Sequence, residues 1–398
     1  MKLITIILSL FLLTGCETTI LSEEEYLKKN HEIINLKDKK DYEGMDILDK
    51  NLRGKDIILT GELHGINLDD ELRIKLLSYL KEKINIKYYL METSYSDAYF
   101  MNKYLKTGNE KILKEAYKNF YGTYSYNEDE YNFIKYIYEY NKTLDEKDKI
   151  EIVGIDLEFQ ISNAYKYIKE VFNEEDLSQD VKEYIERLSV KSSYYSNDGT
   201  VKESFKKLKI NCEEFLKEID KNQDYYKKLL KEEFTGVNNV LESIITVANR
   251  SLGIGDPTEI RETRIYNNFM ALDSQLEKGK YFGQWGNLHV VENMSEDENN
   301  QIDSFATRLR KSNKYKGKVL SISYLYQNCM HIETPIGESG YTERKVWESM
   351  TGEFKVYNEE DCYIFDINKK SSPYEEKAYI DYIVVINNSK ASKPLKFR

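Results

Sequence analysis

The sequence IILTGELHG at residues 57–65 joins an apolar run to a glutamate and a histidine. The apolar half predicts a strand, and the glycine-containing half predicts the turn in which this strand ends. Because residues i and i+2 of a strand point to the same face, we expect Glu62 and His64 to project into one space. The flanking Gly61 and Gly65 let the backbone turn sharply and let a ligand come close. The stretch therefore predicts a strand end that carries a reactive pair.

Three further predicted strands also end in acidic or histidine side chains. These strand ends are Glu92 after residues 86–91, Asp156 and Glu158 after residues 149–153, and His289 after residues 280–285. Helical periodicity between the strands predicts the α/β fold class, with a mostly parallel central sheet flanked by helices. In such sheets ligands bind beyond the carboxyl ends of the strands, so the repeated polar ends predict a site there.

The segment between the third and fourth predicted strands differs from the rest of the chain. Residues 160–250 read as almost continuous charged helix, which predicts a helical insertion. Such an insertion is either a solvated helical bundle or a cap over the cleft, and these two interpretations are compatible. After it, Asp256 is expected to cap a helix that begins at Pro257 and carries Arg261 and Glu262 in its first turns.

Composition indicates how the chain is divided. Four prolines and the lack of a Gly/Ser-rich stretch argue against a flexible linker, so residues 51–398 are predicted to form one α/β domain. Residues 16–50 are predicted to be a tether with an N-terminal helix over residues 22–34. Later elements are predicted as a helix at residues 298–310 and strands at residues 318–326, 363–367 and 379–386.

Residues 1–15 are predicted to be an export signal. Lys2 gives a positive start, and residues 3–13 are almost entirely apolar but too few to span a bilayer as a permanent helix. The following box, LTGC, resembles the lipobox of bacterial lipoproteins, with an ordinary secretory signal as the alternative. The lipobox implies a lipid thioether on Cys16 and a protein anchored at the extracellular face of the cell membrane.

The charge balance restricts the class of partner. The chain has 69 acidic and 58 basic side chains and a formal net charge of −11, which disfavours nucleic acid and anionic lipid as ligands.

Beyond Cys16, the three cysteines Cys212, Cys329 and Cys362 cannot all pair with one another and lack the spacing of a metal site. We therefore expect a small-molecule substrate.

The candidate site residues are suited to acid–base or metal chemistry. A histidine beside a carboxylate, as in His64 with Glu62, serves as a general base near neutral pH. Two histidines with carboxylates also suit a divalent metal, with His64, His289 and Glu62 as its ligands. No nucleophile elbow, Walker loop or dinucleotide fingerprint occurs, so water is the expected nucleophile. Purely structural roles are the alternatives for two of these residues. Glu92 would then cap a helix, and Arg261 would form an ion pair with an acid of its own helix.

Taken in order over residues 50–390, these motifs resemble the erythromycin esterase-like superfamily, which includes ChaN-like haem-binding lipoproteins and Tiki-like metalloproteases. The segments that carry the resemblance are residues 61–65, 92, 154–156, 261–269 and 286–290. By this resemblance His64 is the base that activates water. The other residues that match catalytic positions are Glu62, Glu92, Arg261 and His289. The residues expected to contact the substrate are Asp156, Glu158 and Glu262.

The resemblance implies a surface-anchored hydrolase that cleaves an ester, lactone or related bond, with a role in the response to antibiotics. One departure is Gly286, where erythromycin esterases tend to carry a second histidine. The Gly-x-x-His form is closer to the ChaN-like and Tiki-like branches. Two alternatives follow from it, namely a lipoprotein that binds haem or a metal without turnover, and a protease that depends on Mn, Co or Zn.

Overall fold

The computed structural model leaves several short segments of the chain undescribed. The described residues are 22–38, 40–172, 177–189, 199–291, 301–335, 340–346, 354, 362–368, 372–373 and 379–397. The predicted export signal and Cys16 lie outside them. Among the described residues, no helix has the length and apolarity that a membrane span requires.

Eight strands of the described residues form one central sheet, and two more form a hairpin. The strands are β1 (His31–Ile33), β2 (Ile57–Glu62), β3 (Tyr88–Ser94), β4 (Glu151–Asp156), β5 (Tyr281–Gly286), β6 (Val319–Gln327), β7 (Met330–Glu333), β8 (Thr342–Lys345), β9 (Cys362–Asp366) and β10 (Tyr382–Asn387). The sheet order is β1-β9-β10-β6-β2-β5-β3-β4, and the pairs from β10 to β4 are parallel. Only β9 runs against its neighbours in this sheet. The predicted mostly parallel α/β fold is confirmed.

Helices fill the connections between the strands. They are α1 (Glu23–Lys29), α2 (Asp49–Leu52), α3 (Asn67–Ile84), α4 (Tyr95–Thr107), α5 (Glu110–Tyr117), α6 (Glu128–Asn141), α7 (Ile161–Val171), α8 (Gln179–Glu186), α9 (Gly199–Lys221), α10 (Gln223–Leu230), α11 (Phe234–Leu252), α12 (Pro257–Asp273) and α13 (Phe305–Lys311). The start of α12 is confirmed, because the Asp256 carboxylate accepts the N–H groups of Thr258 and Glu259, each at 2.9 Å.

Both faces of the sheet are buried, which explains why its strands read as continuous apolar runs. Along β2, Ile58 packs on the face covered by α3 and α6, whereas Ile57 and Leu59 pack on the face covered by α12 and α13. Helices α7 to α11 lie between β4 and β5 and pack around a second apolar core, which includes Phe215 and Val240 and also Phe100 of α4. The domain boundaries and the capping role of this insertion stay predictions.

The prediction of a single helix over residues 22–34 is wrong. Helix α1 ends at Lys29, and residues 31–33 form β1, which pairs antiparallel with β9. His31 therefore lies on a strand at the sheet edge. The reason is tertiary: the partner strand is more than 300 residues away, so local periodicity carries no signal for this pairing. The β7–β8 hairpin was likewise not predicted.

Candidate active site

Four neighbouring parallel strands carry their polar ends to the same edge of the sheet. In the order β2-β5-β3-β4, these ends supply Glu62, the turn at residues 287–289 with His289, then Glu92 and Asp156. His64 follows β2 directly. The structure thus brings together the residues that strand-end reasoning selected, because the carboxyl ends of parallel neighbours meet at one edge.

His64 is held from one side and open on the other. Its Nδ1 is hydrogen-bonded to Oε1 of the buried Glu62, and its Nε2 lies 3.9 Å from Oε2 of Glu92. The His64 side chain is 40% exposed, so the imidazole reaches the open space beyond this edge of the sheet, which is called here the cleft. A carboxylate on one ring nitrogen fixes the tautomer and makes the other nitrogen more basic. The arrangement therefore presents Nε2 of His64 as the reactive atom.

His289 lies deeper and is held from both sides. Its side chain is only 5% exposed, its Nε2 lies 3.2 Å from Oε1 of Glu92, and its Nδ1 lies 2.7 Å from Oε1 of Glu262. The other oxygen of Glu262 accepts the N–H of Phe305, at the start of α13, at 2.7 Å. Together with the pair at β2 this forms a row of alternating carboxylates and imidazoles, called here the Glu–His row. Its members in spatial order are Glu62, His64, Glu92, His289 and Glu262.

The carboxylates of the Glu–His row keep both imidazoles charged. Burial alone would lower the pKa of His64, but Glu62 and Glu92 outweigh it and raise that pKa to about 10. In His289 the effect of burial is outweighed by Glu92 and Glu262, which raise the pKa to about 9. Burial would raise the pKa of Glu92, yet His289 and His64 hold it well below its usual range. The carboxylates therefore favour the charged form of both imidazoles near neutral pH.

Arg261 joins helix α12 to two strands of the sheet. Its Nε and Nη2 donate to the two oxygens of Asp156 at 3.0 and 2.6 Å, and Nη2 also donates to Oε1 of Glu92 at 2.9 Å. The bidentate geometry fixes the guanidinium, whose side chain is 22% exposed. Arg261 therefore pairs with acids of the strand ends and not with acids of its own helix. Both carboxylate oxygens of Asp156 are therefore used to orient Arg261.

Two predicted substrate-contacting residues are buried away from the cleft. Glu158 is fully buried and accepts the N–H of Ser96 at 3.1 Å, in the first turn of α4, as well as that residue's hydroxyl. Burial and the nearby Asp97 raise the pKa of Glu158 to about 8. Glu158 is thus placed as a helix cap and not in the Glu–His row. Glu262 is also fully buried, and it reaches the cleft only through His289.

Position 286 has to be small in this arrangement. The N–H of Gly286 donates to Oε2 of Glu92 at 2.7 Å. A Cβ atom on Gly286 would lie 3.2 Å from Nε2 of His64 and 3.5 Å from Oε2 of Glu92. A side chain there would enter the space where these two groups face each other. Glycine at position 286 therefore lets His64 and Glu92 face each other without a shift of either side chain.

Sequence reasoning missed two neighbours of the Glu62–His64 pair. Asp69 is buried, and burial together with the charge of Glu62 raises its pKa well above the usual range. Asp69 lies in the first turn of α3, a position where an acidic side chain is commonly a helix cap. Tyr124 stacks on His64, with ring centroids 5.7 Å apart and an interplanar angle of 29°. The sequence holds no signal for Tyr124, because it is one of 34 tyrosines.

The residues as placed do not fit a divalent metal. Among the described residues, no group of three or more His, Cys, Asp or Glu side chains is arranged to hold one. Of the three predicted ligands, His64 and His289 turn their Nε2 atoms toward Glu92, while Glu62 is bound to Nδ1 of His64. Their donor atoms therefore do not converge on one point. Haem binding stays a prediction.

Solved structures with the same fold cover nearly the whole chain. A succinoglycan biosynthesis protein matches with a TM-score of 0.69 at 16% identity, covering 94% of this chain and 98% of that one. A protein from Bacillus cereus matches with a TM-score of 0.68 at 15% identity and the same coverage. A mutant of the erythromycin esterase EreC in its open conformation gives 0.65 at 14% identity, covering 92% of this chain and 99% of that one. These likenesses show the fold.

The sequence itself carries the family assignment. No curated protein matches the chain. The sequence profile of the erythromycin esterase family, in contrast, matches residues 86–300, which is more than half of the chain. The matched segment contains Glu92, Asp156, Arg261 and His289, and the Glu62–His64 pair precedes it. The chain therefore belongs to the erythromycin esterase family.

Proposed function

We propose that the protein is a hydrolase that cleaves an ester, lactone or related bond, with His64 as the base that activates water. The observation that carries this proposal is the placement of His64, whose Nδ1 is held by Glu62 while its Nε2 lies 3.9 Å from Oε2 of Glu92 on a side chain that is 40% exposed. Membership of the erythromycin esterase family supports the class of bond. The fold shared with the esterase EreC is consistent with it.

In the proposed reaction, water is the only reactant besides the substrate. Nε2 of neutral His64 takes a proton from water while the water oxygen attacks the carbonyl carbon and the carbonyl π electrons move to oxygen. When the tetrahedral intermediate collapses, the bond to the leaving oxygen breaks, and the His64 imidazolium returns its proton to that oxygen. Glu62 stabilises the imidazolium in between. Arg261, which stays charged throughout this pH range, stabilises the negative charge that develops in the cleft, and His289 orients Glu92 beside it.

The first expected result is a rise of kcat/KM with pH. Only a neutral His64 accepts the proton, and its pKa of about 10 means that the neutral fraction grows about tenfold per pH unit through the neutral range. Glu62→Gln removes the negative charge at Nδ1 and lowers that pKa. We therefore expect the rising limb of the profile to move to lower pH by about one unit or more. The measurement is the pH profile of kcat/KM for both proteins.

The matched control is Glu259→Gln, a half-exposed acid of α12 that binds Arg308 at 2.7 Å. This variant is expected to keep the wild-type profile. The role of His64 as the base would be contradicted if the rising limb of the Glu62→Gln profile had the same position as in the wild type. It would also be contradicted if kcat/KM of the wild type fell as the pH rises through neutrality.

We also propose that Cys16 carries a lipid and anchors the protein at the extracellular face of the cell membrane. The LTGC box after an apolar run supports this proposal. In the full-length precursor, Cys16→Ser is expected to move the protein from the membrane fraction to the soluble fraction. Cys212→Ser, at a buried cysteine, is the control and is expected to stay with the membrane. Wild-type protein without lipid mass on Cys16 would overturn the proposal.

A further inference from the structure

The exposed imidazole of His64 needs more than Glu62 to hold its orientation. A hydrogen bond at Nδ1 fixes the tautomer, but it leaves the plane of the ring free to rock about that bond. The one ring stacked on His64 among the described residues is that of Tyr124, with centroids 5.7 Å apart and planes 29° apart. Offset stacking of this kind restricts the plane of a ring. Tyr124 therefore supplies the constraint that Glu62 does not.

The loop that carries Tyr124 is fastened on both sides of this residue. The N–H of Gly122 donates to Oη of Tyr341 at 2.9 Å, and that hydroxyl donates in turn to the carbonyl of Thr123 at 3.0 Å. On the other side, Nδ2 of Asn127 donates to the carbonyl of Tyr124 itself at 2.8 Å. The loop backbone is thus fixed immediately before and at Tyr124.

The β7–β8 hairpin, next to Tyr341, also holds the turn that carries His64. Tyr341 directly precedes β8, which pairs with β7. In β7, the N–H of Ile332 donates to the carbonyl of Gly65 at 3.1 Å, next to His64 in the chain. The β7–β8 hairpin therefore contacts both the Tyr124 loop and the His64 turn, and it fixes one relative to the other.

We propose that Tyr124 is a positioning residue for His64 and that the Tyr341 hydroxyl holds Tyr124 in place. The expected effect of Tyr124 on the rate rests on the proposed function. The stacking of Tyr124 on His64 is independent of that function. Tyr124 covers one face of the imidazole, keeps Nε2 directed toward Glu92 and the cleft, and leaves the opposite face to the substrate. A reactive atom displaced by about 1 Å costs up to about 10²-fold in rate, so the constraint has a measurable effect.

The placement is tested without any substrate, by NMR of the imidazoles. The chain has only four histidines, so their ring C–H signals are few enough to be assigned through His31→Ala and His64→Ala variants. At fixed pH, Tyr124→Leu is expected to shift the His64 signal, because it removes the stacked ring, whereas Tyr124→Phe retains the wild-type position. The control is Tyr225→Leu, in helix α10, whose half-exposed ring packs on Tyr226 instead. An unmoved His64 signal in Tyr124→Leu would overturn the proposal.

The catalytic consequence is tested by steady-state kinetics. We expect Tyr124→Leu to lower kcat by roughly 10- to 100-fold with little change in KM, and Tyr124→Phe to retain kcat. Tyr341→Phe keeps its ring but loses both loop hydrogen bonds, so it is expected to lower kcat in the same way. Equal rates in Tyr124→Leu and Tyr124→Phe, or a loss confined to KM, would overturn the positioning role.

The two tests separate this inference from the proposed function. If the wild type hydrolyses no ester or lactone, the hydrolase proposal is overturned, and the NMR shift still decides whether Tyr124 is stacked on His64. If Tyr124→Leu does not fold, Tyr341→Phe supplies both readouts, because its ring and the apolar packing are unchanged. In that case a wild-type His64 signal in Tyr341→Phe would overturn the inference.

Discussion

Replacing His64 by alanine is expected to lower kcat/KM for ester hydrolysis by about 10²- to 10⁴-fold, the range that a general base contributes. The fold should persist, because the His64 side chain is 40% exposed and its removal opens no closed cavity. The loss should appear mainly in kcat, since the base acts on water and not on the ground-state complex. The measurements are steady-state kinetics and a thermal melt of each variant.

The matched control is His31→Ala. His31 lies on β1, at the edge of the sheet and four strands away from β2. This variant is expected to retain full activity. If His64→Ala keeps more than about a tenth of the wild-type rate, or if His31→Ala loses as much, His64 does not have the assigned role.

Replacing Arg261 by methionine is expected to lower the free energy of unfolding by about 3–5 kcal/mol, the cost of removing one partner from a buried ion pair. Methionine retains most of the side-chain length, so the main loss is the positive charge. Without it, the buried carboxylate of Asp156 and the 13% exposed carboxylate of Glu92 lose their shared guanidinium and repel each other. The 22% exposure of Arg261 places the expected value toward the lower end of the range. Urea unfolding of wild type and variant measures it.

The matched control for Arg261 is Arg187→Met. Arg187 pairs with Glu183 at 2.9 Å, and both side chains are about half exposed. Loss of such a surface pair is expected to cost no more than about 1 kcal/mol. In the double variant Arg261→Met/Asp156→Asn, one of the uncompensated charges is removed as well, so part of the stability should return. An Arg261→Met variant no less stable than Arg187→Met would contradict the buried pairing.

The location of the site could be predicted from the sequence because it follows from sheet topology. Parallel strands deliver the residues after their carboxyl ends to one edge, so Glu62, Glu92 and Asp156 were expected at that edge once the strands were recognised, whereas the order of the strands was not predicted. The i, i+2 spacing likewise predicted that Glu62 and His64 share a space, and they are in contact. The partners of Arg261 could not be read in this way, since they lie on strands far from it in the chain.

Other features depend on packing that no local pattern encodes. Glu158 also follows a strand end, but the chain has already turned there, and its carboxylate is directed at the N-terminus of α4. Tyr124 contacts His64 through a loop fastened by Tyr341, and neither tyrosine differs in sequence context from the many others. Strand β1 exists because β9 offers it a partner. Such features become visible only when the tertiary contacts are known.

The central claim, that the Glu–His row is a hydrolytic site, is tested most directly by one assay of the purified protein. A panel of esters, lactones and peptides is offered before and after chelation of divalent metals, with the metal content measured in parallel. We expect cleavage of an ester or lactone that survives chelation and is lost in His64→Ala. Absence of ester and lactone cleavage, or peptide cleavage that chelation abolishes and Mn, Co or Zn restores, would contradict the account.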